Sequence, residues 1–231
     1  MKIAIMGAMP EEITPILQYL DNVQPVKYAK NTYYEATYKG VDVVVAYSKI
    51  GKVFSTLTAS TMLQKFGCDV LLFTGVAGAV NDALKIGDLI VATKLPQHDL
   101  DITIFGHPHG YVPEGSVYVE ADRELIELSK QVASEIGVAI REGIIATGDQ
   151  FIASQERKGF IADTFHADAL EMEGASVAVV CDALDVPFFI LRAISDSADM
   201  DASFNFDEFV ESSAKTSAEF LMKMVERLVQ N

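Results

Sequence analysis

The stretch that decides the fold is residues 170–199, which read LEMEGASVAVVCDALDVPFFILRAISDSAD. Residues 170–172 form a short extended run, and residues 175–184 are small and apolar on nearly every face, which predicts a buried helix. Residues 188–193 are apolar enough to form a strand that is covered on both faces. The stretch therefore predicts a strand–helix–strand unit.

Carboxylates follow both predicted strands of this unit. Glu173 comes directly after the first strand, and Asp196 comes shortly after the second. Parallel strands joined by a helix end at the same edge of a sheet, which is where open α/β folds bind ligands. We therefore expect Glu173 and Asp196 to face one crevice from neighbouring strands.

Outside this stretch, apolar runs with the length of strands alternate with helical patterns. This alternation predicts one α/β domain, residues 1–231, with a mixed, mainly parallel central sheet and helices on both faces. Further strands are predicted at 2–6, 33–38, 41–48, 70–73, 89–95 and 140–147, the second and third forming a hairpin, and further helices from residue 10 and at 52–66, 122–136, 154–163 and 206–228.

Composition excludes several classes of protein. The 231 residues carry a net charge of −15, which argues against a nucleic-acid-binding surface because that needs stripes of Lys and Arg. We find neither a signal peptide nor an apolar run of membrane-spanning length, so we expect a cytoplasmic protein. Cys68 and Cys181 lie in apolar surroundings, which indicates two buried, reduced thiols.

Motifs for cofactors and metals are missing. The chain has neither a phosphate-binding nor a dinucleotide-binding glycine motif after a strand, and no nucleophile-elbow serine. His98, Asp99, His107 and His109 lie close together, but their spacing fits no standard ligand set and favours a solvated loop. We therefore predict no metal and no cofactor.

Three carboxylates remain as candidates for chemistry, namely Glu12, Glu173 and Asp196. Each follows a predicted strand or begins a helix, and Arg192 lies close to Asp196 in sequence. A single carboxylate at such a position is more often a helix cap or a surface group. Three that converge on one sheet edge favour acid–base chemistry.

The sequence resembles the 5′-methylthioadenosine/S-adenosylhomocysteine nucleosidases, within the wider nucleoside phosphorylase family. The resemblance covers essentially the whole chain, and the E-M-E-G-A and S-D segments at their spacing are a specific signal. It is carried by residues 7–12 (GAMPEE), 48–52 (SKIGK), 74–78 (TGVAG), 148–151 (GDQF), 171–175 (EMEGA) and 195–196 (SD).

This resemblance implies a division of catalytic roles. Asp196 would be the general acid that protonates N7 of adenine, with Ser195 holding its carboxyl group. Glu12 would be the general base that activates water, and Glu173 would accept hydrogen bonds from the ribose hydroxyls. An oxocarbenium-like transition state needs such a pair of carboxyl groups, much as in inverting glycosidases.

The resemblance also implies binding residues around the sugar and the purine. Met172 would pack beneath the sugar with Arg192 nearby. Phe151 would stack on the purine, and the backbone of Ile152 would read the purine edge.

At the 5′ end of the nucleoside, the resemblance implies an apolar pocket. Met9, Ile50 and Phe206 would line it, and Phe105 and Pro113 of a neighbouring subunit would complete it. The implied assembly is a homodimer, and the partners are a small nucleoside and water, with no nucleic acid and no membrane.

Two alternatives stay open. The first is a phosphorylase of the same fold, which needs cations to bind phosphate. This chain has apolar Phe73 and Val76 where related phosphorylases have an Arg and a Ser. Val76, at a substrate-binding position, also differs from many nucleosidases, which have a Ser there. The acidic pair Glu11 and Glu12 disfavours an anion further. A catalytically inactive nucleoside sensor is the second alternative, and the three carboxylates count against it.

The 5′ substituent is the least determined feature. Residues 97–101 and 105–108 resemble a branch of the family that also cleaves 6-amino-6-deoxyfutalosine in menaquinone synthesis. An apolar pocket discriminates weakly between apolar groups, so we expect methylthioadenosine, adenosylhomocysteine and 5′-deoxyadenosine to be substrates as well.

Overall fold

The computed structural model describes residues 1–196 and 206–230, with the side chains of residues 206–208 outside the described part. Its strands join into a single sheet of ten. In chain order they are β1 (Lys2–Gly7), β2 (Asp21–Tyr28), β3 (Asn31–Tyr38), β4 (Val41–Tyr47), β5 (Val70–Ala79), β6 (Leu89–Pro96), β7 (Tyr118–Glu120), β8 (Ile140–Thr147), β9 (Ala169–Glu171) and β10 (Phe188–Asp196).

Helices cover both faces of this sheet, as the sequence predicts. The first, third and sixth helices share one apolar cluster with the strands, and the second and fifth share another on the opposite face. No helix within the described ranges has the length and apolar character to cross a bilayer. The helices are α1 (Pro10–Leu17), α2 (Lys52–Gln64), α3 (Arg123–Ile136), α4 (Gln155–Phe165), α5 (Gly174–Ala183) and α6 (Phe206–Leu228), with a 3₁₀ turn at Thr103–Phe105.

Five strands of the sheet close into a barrel. They follow the order β10, β6, β8, β9, β5, and β5 pairs again with β10. Strands β1, β4, β3 and β2 continue outward from β5, and β7 pairs with β6. The fold is therefore mixed α/β, as expected.

The expectation of a mainly parallel sheet is wrong. Five of the pairings between described strands are parallel and five are antiparallel. The antiparallel contacts of β5 with β9 and of β6 with β10 close the barrel, and closure removes two exposed sheet edges.

The strand–helix–strand unit of the opening stretch exists as β9, α5 and β10, but its strands are neither parallel nor adjacent. β5 lies between them, antiparallel to β9 and parallel to β10. Leu170 and Asp196 are nevertheless both opposite Gly78 of β5. The two strand ends thus converge on one point of β5, although not for the reason that the sequence suggested.

Local signals set several element boundaries. The Asp122 carboxylate accepts a hydrogen bond from the backbone N–H of Leu125 at 2.9 Å and begins α3, and Gly137 ends that helix in the left-handed conformation. The hairpin of β3 and β4 turns through Lys39 and Gly40, both with positive φ.

Two strands depart from prediction. β5 runs on to Ala79 instead of ending at Phe73, so Gly75 and Gly78 are strand residues. β2 was not predicted, because Pro25 and many polar residues mark it as an exposed edge strand. Cys68 and Cys181 are buried and unpaired, as predicted.

Candidate active site

A cavity of about 150 Å³ lies where the ends of β1, β9 and β10 meet the second half of β5. Its walls combine apolar side chains, backbone and a group of buried charges. The predicted site residues that line it are Met9, Glu12, Ile50, Val76, Phe151, Met172, Glu173, Arg192, Ser195 and Asp196.

Glu12 lies in the first turn of α1 and is 2% exposed. One carboxylate oxygen accepts hydrogen bonds from the backbone N–H groups of Ala8 at 2.6 Å and Met9 at 3.0 Å, and the other accepts one from Val76 at 3.3 Å. Burial raises the pKa of Glu12, against the opposing effects of Arg192 and these donors. The carboxylate is held rigidly and binds a proton more readily than an exposed glutamate.

Arg192, in β10, is fully buried and pairs with Glu171 at 2.6 Å between Nη2 and Oε2. The guanidinium lies over the ring of Phe73, 4.1 Å from the ring centre. Arg192 is the one cationic side chain among the described residues that line the cavity, against four carboxylates.

Glu173 precedes α5 and is 5% exposed. Its carboxylate accepts a hydrogen bond from the backbone N–H of Gly51 at 2.8 Å. Burial, and then the neighbouring charge of Glu171, raise the pKa of Glu173 to about 8. The carboxyl group is therefore largely protonated at neutral pH and can both donate and accept hydrogen bonds.

Asp196 closes β10 at the rim of the cavity. The hydroxyl of Ser195 donates a hydrogen bond to Asp196 Oδ2 at 2.7 Å, and it also lies 3.4 Å from the carbonyl oxygen of Ala77. This places the carboxyl group beside β5, at the level of Gly78.

A polar network joins the loop before Phe151 to the start of α2. The Asp99 carboxylate accepts hydrogen bonds from Lys52 Nζ at 2.7 Å and from the backbone N–H of Asp149 at 2.8 Å. The Asp149 side chain accepts one from the backbone N–H of Lys52 at 2.7 Å. Since Gly51 next to Lys52 donates to Glu173, this network ties the Phe151 loop to the same carboxyl group.

Three predicted site residues, Ile152, Phe105 and Pro113, are not among the residues that line the cavity of this chain. Ile152 is buried in a small cluster beside α4, and Phe105 and Pro113 are exposed in the long loop after β6. The Phe206 side chain lies outside the described residues.

Residues 103–108 of the loop after β6 are exposed, as predicted, whereas His98 departs from the predicted solvation. His98 is 3% exposed and packs against Gly148, where any side chain would overlap the imidazole ring. Burial lowers the pKa of His98. The described residues contain no group of three or more His, Cys, Asp or Glu side chains that could hold a metal ion.

Sequence reasoning gave no role to Glu171 or Gly75, which both line the cavity. A charged residue at the end of a buried strand, two positions before Glu173, was the available signal for Glu171. Gly75 lies beyond the predicted end of its strand, so the sequence did not indicate its position. A Cβ atom there would lie 2.9 Å from both Arg192 Nη1 and Glu12 Oε1.

Comparison with known proteins places this geometry in a family. A family model described as the phosphorylase superfamily matches residues 2–230. An aminodeoxyfutalosine nucleosidase of Campylobacter jejuni is 59% identical over 228 residues, which cover 99% of this chain and 100% of that protein. A 5′-methylthioadenosine/S-adenosylhomocysteine nucleosidase of Bacillus licheniformis is 36% identical over 230 residues, with 99% and 100% covered.

Solved structures agree with these relatives. The crystal structure of the Campylobacter jejuni 5′-methylthioadenosine/S-adenosylhomocysteine nucleosidase has a TM-score of 0.96 and 59% identity, covering 98% of this chain and 99% of that one. A futalosine hydrolase of Helicobacter pylori has a TM-score of 0.94 and 49% identity, covering 98% and 97%. The chain belongs to the phosphorylase superfamily and, within it, to the nucleoside phosphorylase family that its sequence motifs resemble.

Proposed function

We propose that this protein hydrolyses the N-glycosidic bond of 5′-substituted adenine nucleosides and releases adenine. Relatives that match the chain from end to end carry the names of such nucleosidases. The observation that carries the proposal is that Glu12 and Asp196 line the same cavity, together with Glu173. Cleavage needs a proton for the leaving purine and a base for the attacking water, and two separate carboxyl groups supply both.

Asp196 acts as the general acid in this proposal. Protonation of N7 makes adenine a better leaving group and draws electrons out of the glycosidic bond. The hydrogen bond from Ser195 fixes the orientation of the carboxyl group, so that the carboxyl group does not have to rotate before it transfers the proton. Phe151 stacks on the purine from the exposed rim, and the backbone of Ile152 reads the purine edge.

Glu12 acts as the general base. Its backbone hydrogen bonds fix the carboxylate, and its raised pKa makes it a stronger base than an exposed glutamate. As the sugar gains oxocarbenium character, Glu12 takes a proton from water while the water oxygen bonds to the anomeric carbon. The products are adenine and a free 5-substituted ribose.

Glu173 binds the ribose hydroxyls, with Met172 beneath the sugar. A carboxyl group whose pKa is about 8 can donate to one hydroxyl and accept from the other at neutral pH. Met9 and Ile50 line the cavity toward the 5′ substituent, and we assign Phe206 to the same end.

Water is favoured over phosphate as the nucleophile. An anion in the cavity would meet Glu12, Glu171, Glu173 and Asp196. Arg192, the single guanidinium among the described lining residues, already pairs with Glu171. A phosphorylase would have to offset this negative charge with further cations.

The substrates that we propose are methylthioadenosine, adenosylhomocysteine, 5′-deoxyadenosine and 6-amino-6-deoxyfutalosine. The test is kcat/KM for adenine release from each. We expect all four to be cleaved, with aminofutalosine within a hundredfold of methylthioadenosine, because an apolar pocket discriminates weakly and one methylene more or less is worth only about 1–3 kcal/mol. A lower value for aminofutalosine would remove it from the set, and no adenine from any of them would overturn the proposal.

We also propose a homodimer in which Phe105 and Pro113 complete the cavity of the partner. Apolar side chains at the start of α2 and in the loop after β6 are exposed, among them Val53 at 75%, Ile104 at 86% and Phe105 at 77%. Exposed patches of this kind mark association surfaces. Light scattering at assay concentration should give twice the chain mass, and a fully active monomer would refute the dimer.

A further inference from the structure

The Glu171 carboxylate, in the cavity wall, accepts four hydrogen bonds from described residues. One oxygen accepts from Arg192 Nη2 at 2.6 Å and from the backbone N–H groups of Glu173 at 3.1 Å and Gly174 at 2.7 Å. The hydroxyl of Thr147 donates to the other oxygen. The side chains of Arg192 and Glu171 are 1% and 2% exposed, so water does not weaken their pairing.

Two further nitrogens of Arg192 take no part in the pairing with Glu171. Nε and Nη1 are buried and have no hydrogen-bond partner within the described residues. Nη1 and Glu12 Oε1 both lie 2.9 Å from the position of a Cβ atom on Gly75. Nη1 therefore lies near Glu12, beside the space that Gly75 leaves open, and none of the described hydrogen bonds or ion pairs joins Arg192 to Glu12.

The charges that face Glu12 come from three elements. Arg192 and Asp196 lie on β10, Glu171 ends β9, and Glu173 precedes α5. β5 contributes only backbone, through the N–H of Val76. Among the described side chains of α6, Glu211 and Lys215 line a separate outer groove with Glu11. Arg192 is thus the only positive charge among the described groups that face Glu12 inside the cavity.

We propose that Glu171 is a positioning residue for the hydrolysis: by binding Nη2 of Arg192, it holds the guanidinium back from a direct ion pair with Glu12. This inference rests on the proposed function of Glu12 as the base. A direct pair with a buried guanidinium would stabilise the ionised carboxylate and make it a weaker base. With Arg192 held by Glu171, the Glu12 carboxylate stays available to the attacking water.

The pH profile of kcat/KM tests this in the Glu171→Gln variant. The amide keeps the shape of the side chain but loses its charge, so Arg192 should move to Glu12 and lower its pKa. The acidic limb of the profile, which reports the base in the free enzyme, should move to lower pH by roughly one unit or more, while kcat falls at least about tenfold. An unchanged limb would overturn the proposal.

Thr147→Val is the matched control. It removes a different partner of Glu171 and leaves the pair with Arg192 in place. The backbone N–H of Ala175 also loses its acceptor, so we expect a lower melting temperature with the acidic limb unmoved. If this variant shifted the limb as much as Glu171→Gln, general destabilisation would explain both shifts and the proposal would fail.

The melting temperatures of the wild-type protein, Glu12→Gln, Glu171→Gln and the double variant test the same pairing without an activity assay. In the wild-type background, Glu12→Gln removes a desolvated charge, so the melting temperature at about pH 8 should hold or rise. In the Glu171→Gln background, the proposal has Arg192 pair with Glu12, so Glu12→Gln should lower the melting temperature. Equal effects in both backgrounds would contradict the pairing, even for an enzyme whose reaction differs from the one proposed.

Should Glu171→Gln not fold, Glu171→Asp replaces it in both experiments. The shorter side chain keeps its charge but no longer reaches Nη2. The limb should then shift in the same direction by a smaller amount, and no shift would overturn the proposal. Wild-type protein that released no adenine would refute the proposed function instead, and the melting temperatures would still decide the pairing.

Discussion

The two sides of the cavity differ in how tightly they are built. On the Glu12 side, the carboxylate, Arg192 and Glu171 are all buried and held by hydrogen bonds to neighbouring strands. On the open side, Phe151, which we assign to the purine, is 66% exposed, and Ile50, which we assign to the 5′ substituent, is 57% exposed. A nucleophilic water must be aimed by fixed groups, whereas a purine has to enter from solvent. The rigid side and the open side therefore match the two halves of the proposed reaction.

The largest loss of activity should follow substitution of the proposed general acid, Asp196, on the open side. Asp196→Asn should reduce kcat by about 10²–10⁴-fold, because an amide cannot supply the proton that the purine needs. Binding of methylthioadenosine, measured by calorimetry, should be largely retained. Ser195→Ala, which removes only the orienting hydrogen bond, should cost much less. Near-normal turnover in Asp196→Asn would remove Asp196 as the acid.

Substitution of the proposed general base, Glu12, on the rigid side can be compared with substitution of its neighbour, Glu11. Glu12→Gln should reduce kcat by about 10²–10⁴-fold, since its amide oxygen can still accept the hydrogen bonds from Ala8 and Met9 but the group cannot take a proton. Glu11→Gln removes a negative charge at the neighbouring position, which lies on the exposed surface of the same helical turn. This variant should keep kcat within about twofold of the wild-type value. Equal losses in the two variants would show a charge effect without specific base catalysis.

Between the two sides, Glu173 should matter less. Glu173→Gln keeps an acceptor for the backbone N–H of Gly51 but weakens the contacts to the ribose diol. A hydrogen bond between neutral groups is worth about 0.5–1.5 kcal/mol, so kcat/KM should fall roughly 2- to 10-fold. A substrate that lacks the diol should show no such difference between the variant and the wild-type enzyme.

The last effect concerns the melting temperature and its dependence on pH, not the reaction rate. The folded-state pKa of Glu173, about 8, exceeds its ordinary value of 4.5, so the folded protein binds the extra proton between these values. Its contribution to stability therefore declines as pH rises through this window. The melting temperature of Glu173→Gln, relative to the wild-type protein, should rise from about pH 5 to about pH 8 and then level off. A constant difference would contradict the raised pKa.

Local features were predictable from the sequence. The small, apolar stretch that became α5, the strand before Asp196 and the glycine end of α3 are each set by neighbouring residues. The candidate carboxylates were found in the same way, because each stands where an element starts or stops.

Barrel closure was not predictable in this way. The antiparallel pairings of β5 with β9 and of β6 with β10 depend on contacts between distant parts of the chain. The same holds for Glu171, whose role depends on Arg192 in another strand. Residues close in sequence suggested a crevice between parallel neighbours, whereas the site is formed on both sides of β5.

The measurement that tests the central claim most directly is the dependence of adenine release on phosphate. Purified enzyme with methylthioadenosine should release adenine and free 5-methylthioribose at a rate that does not change when phosphate is added, because Glu12 activates water and the charges around the cavity disfavour an anion. Release that requires phosphate and yields a ribose 1-phosphate would contradict the account.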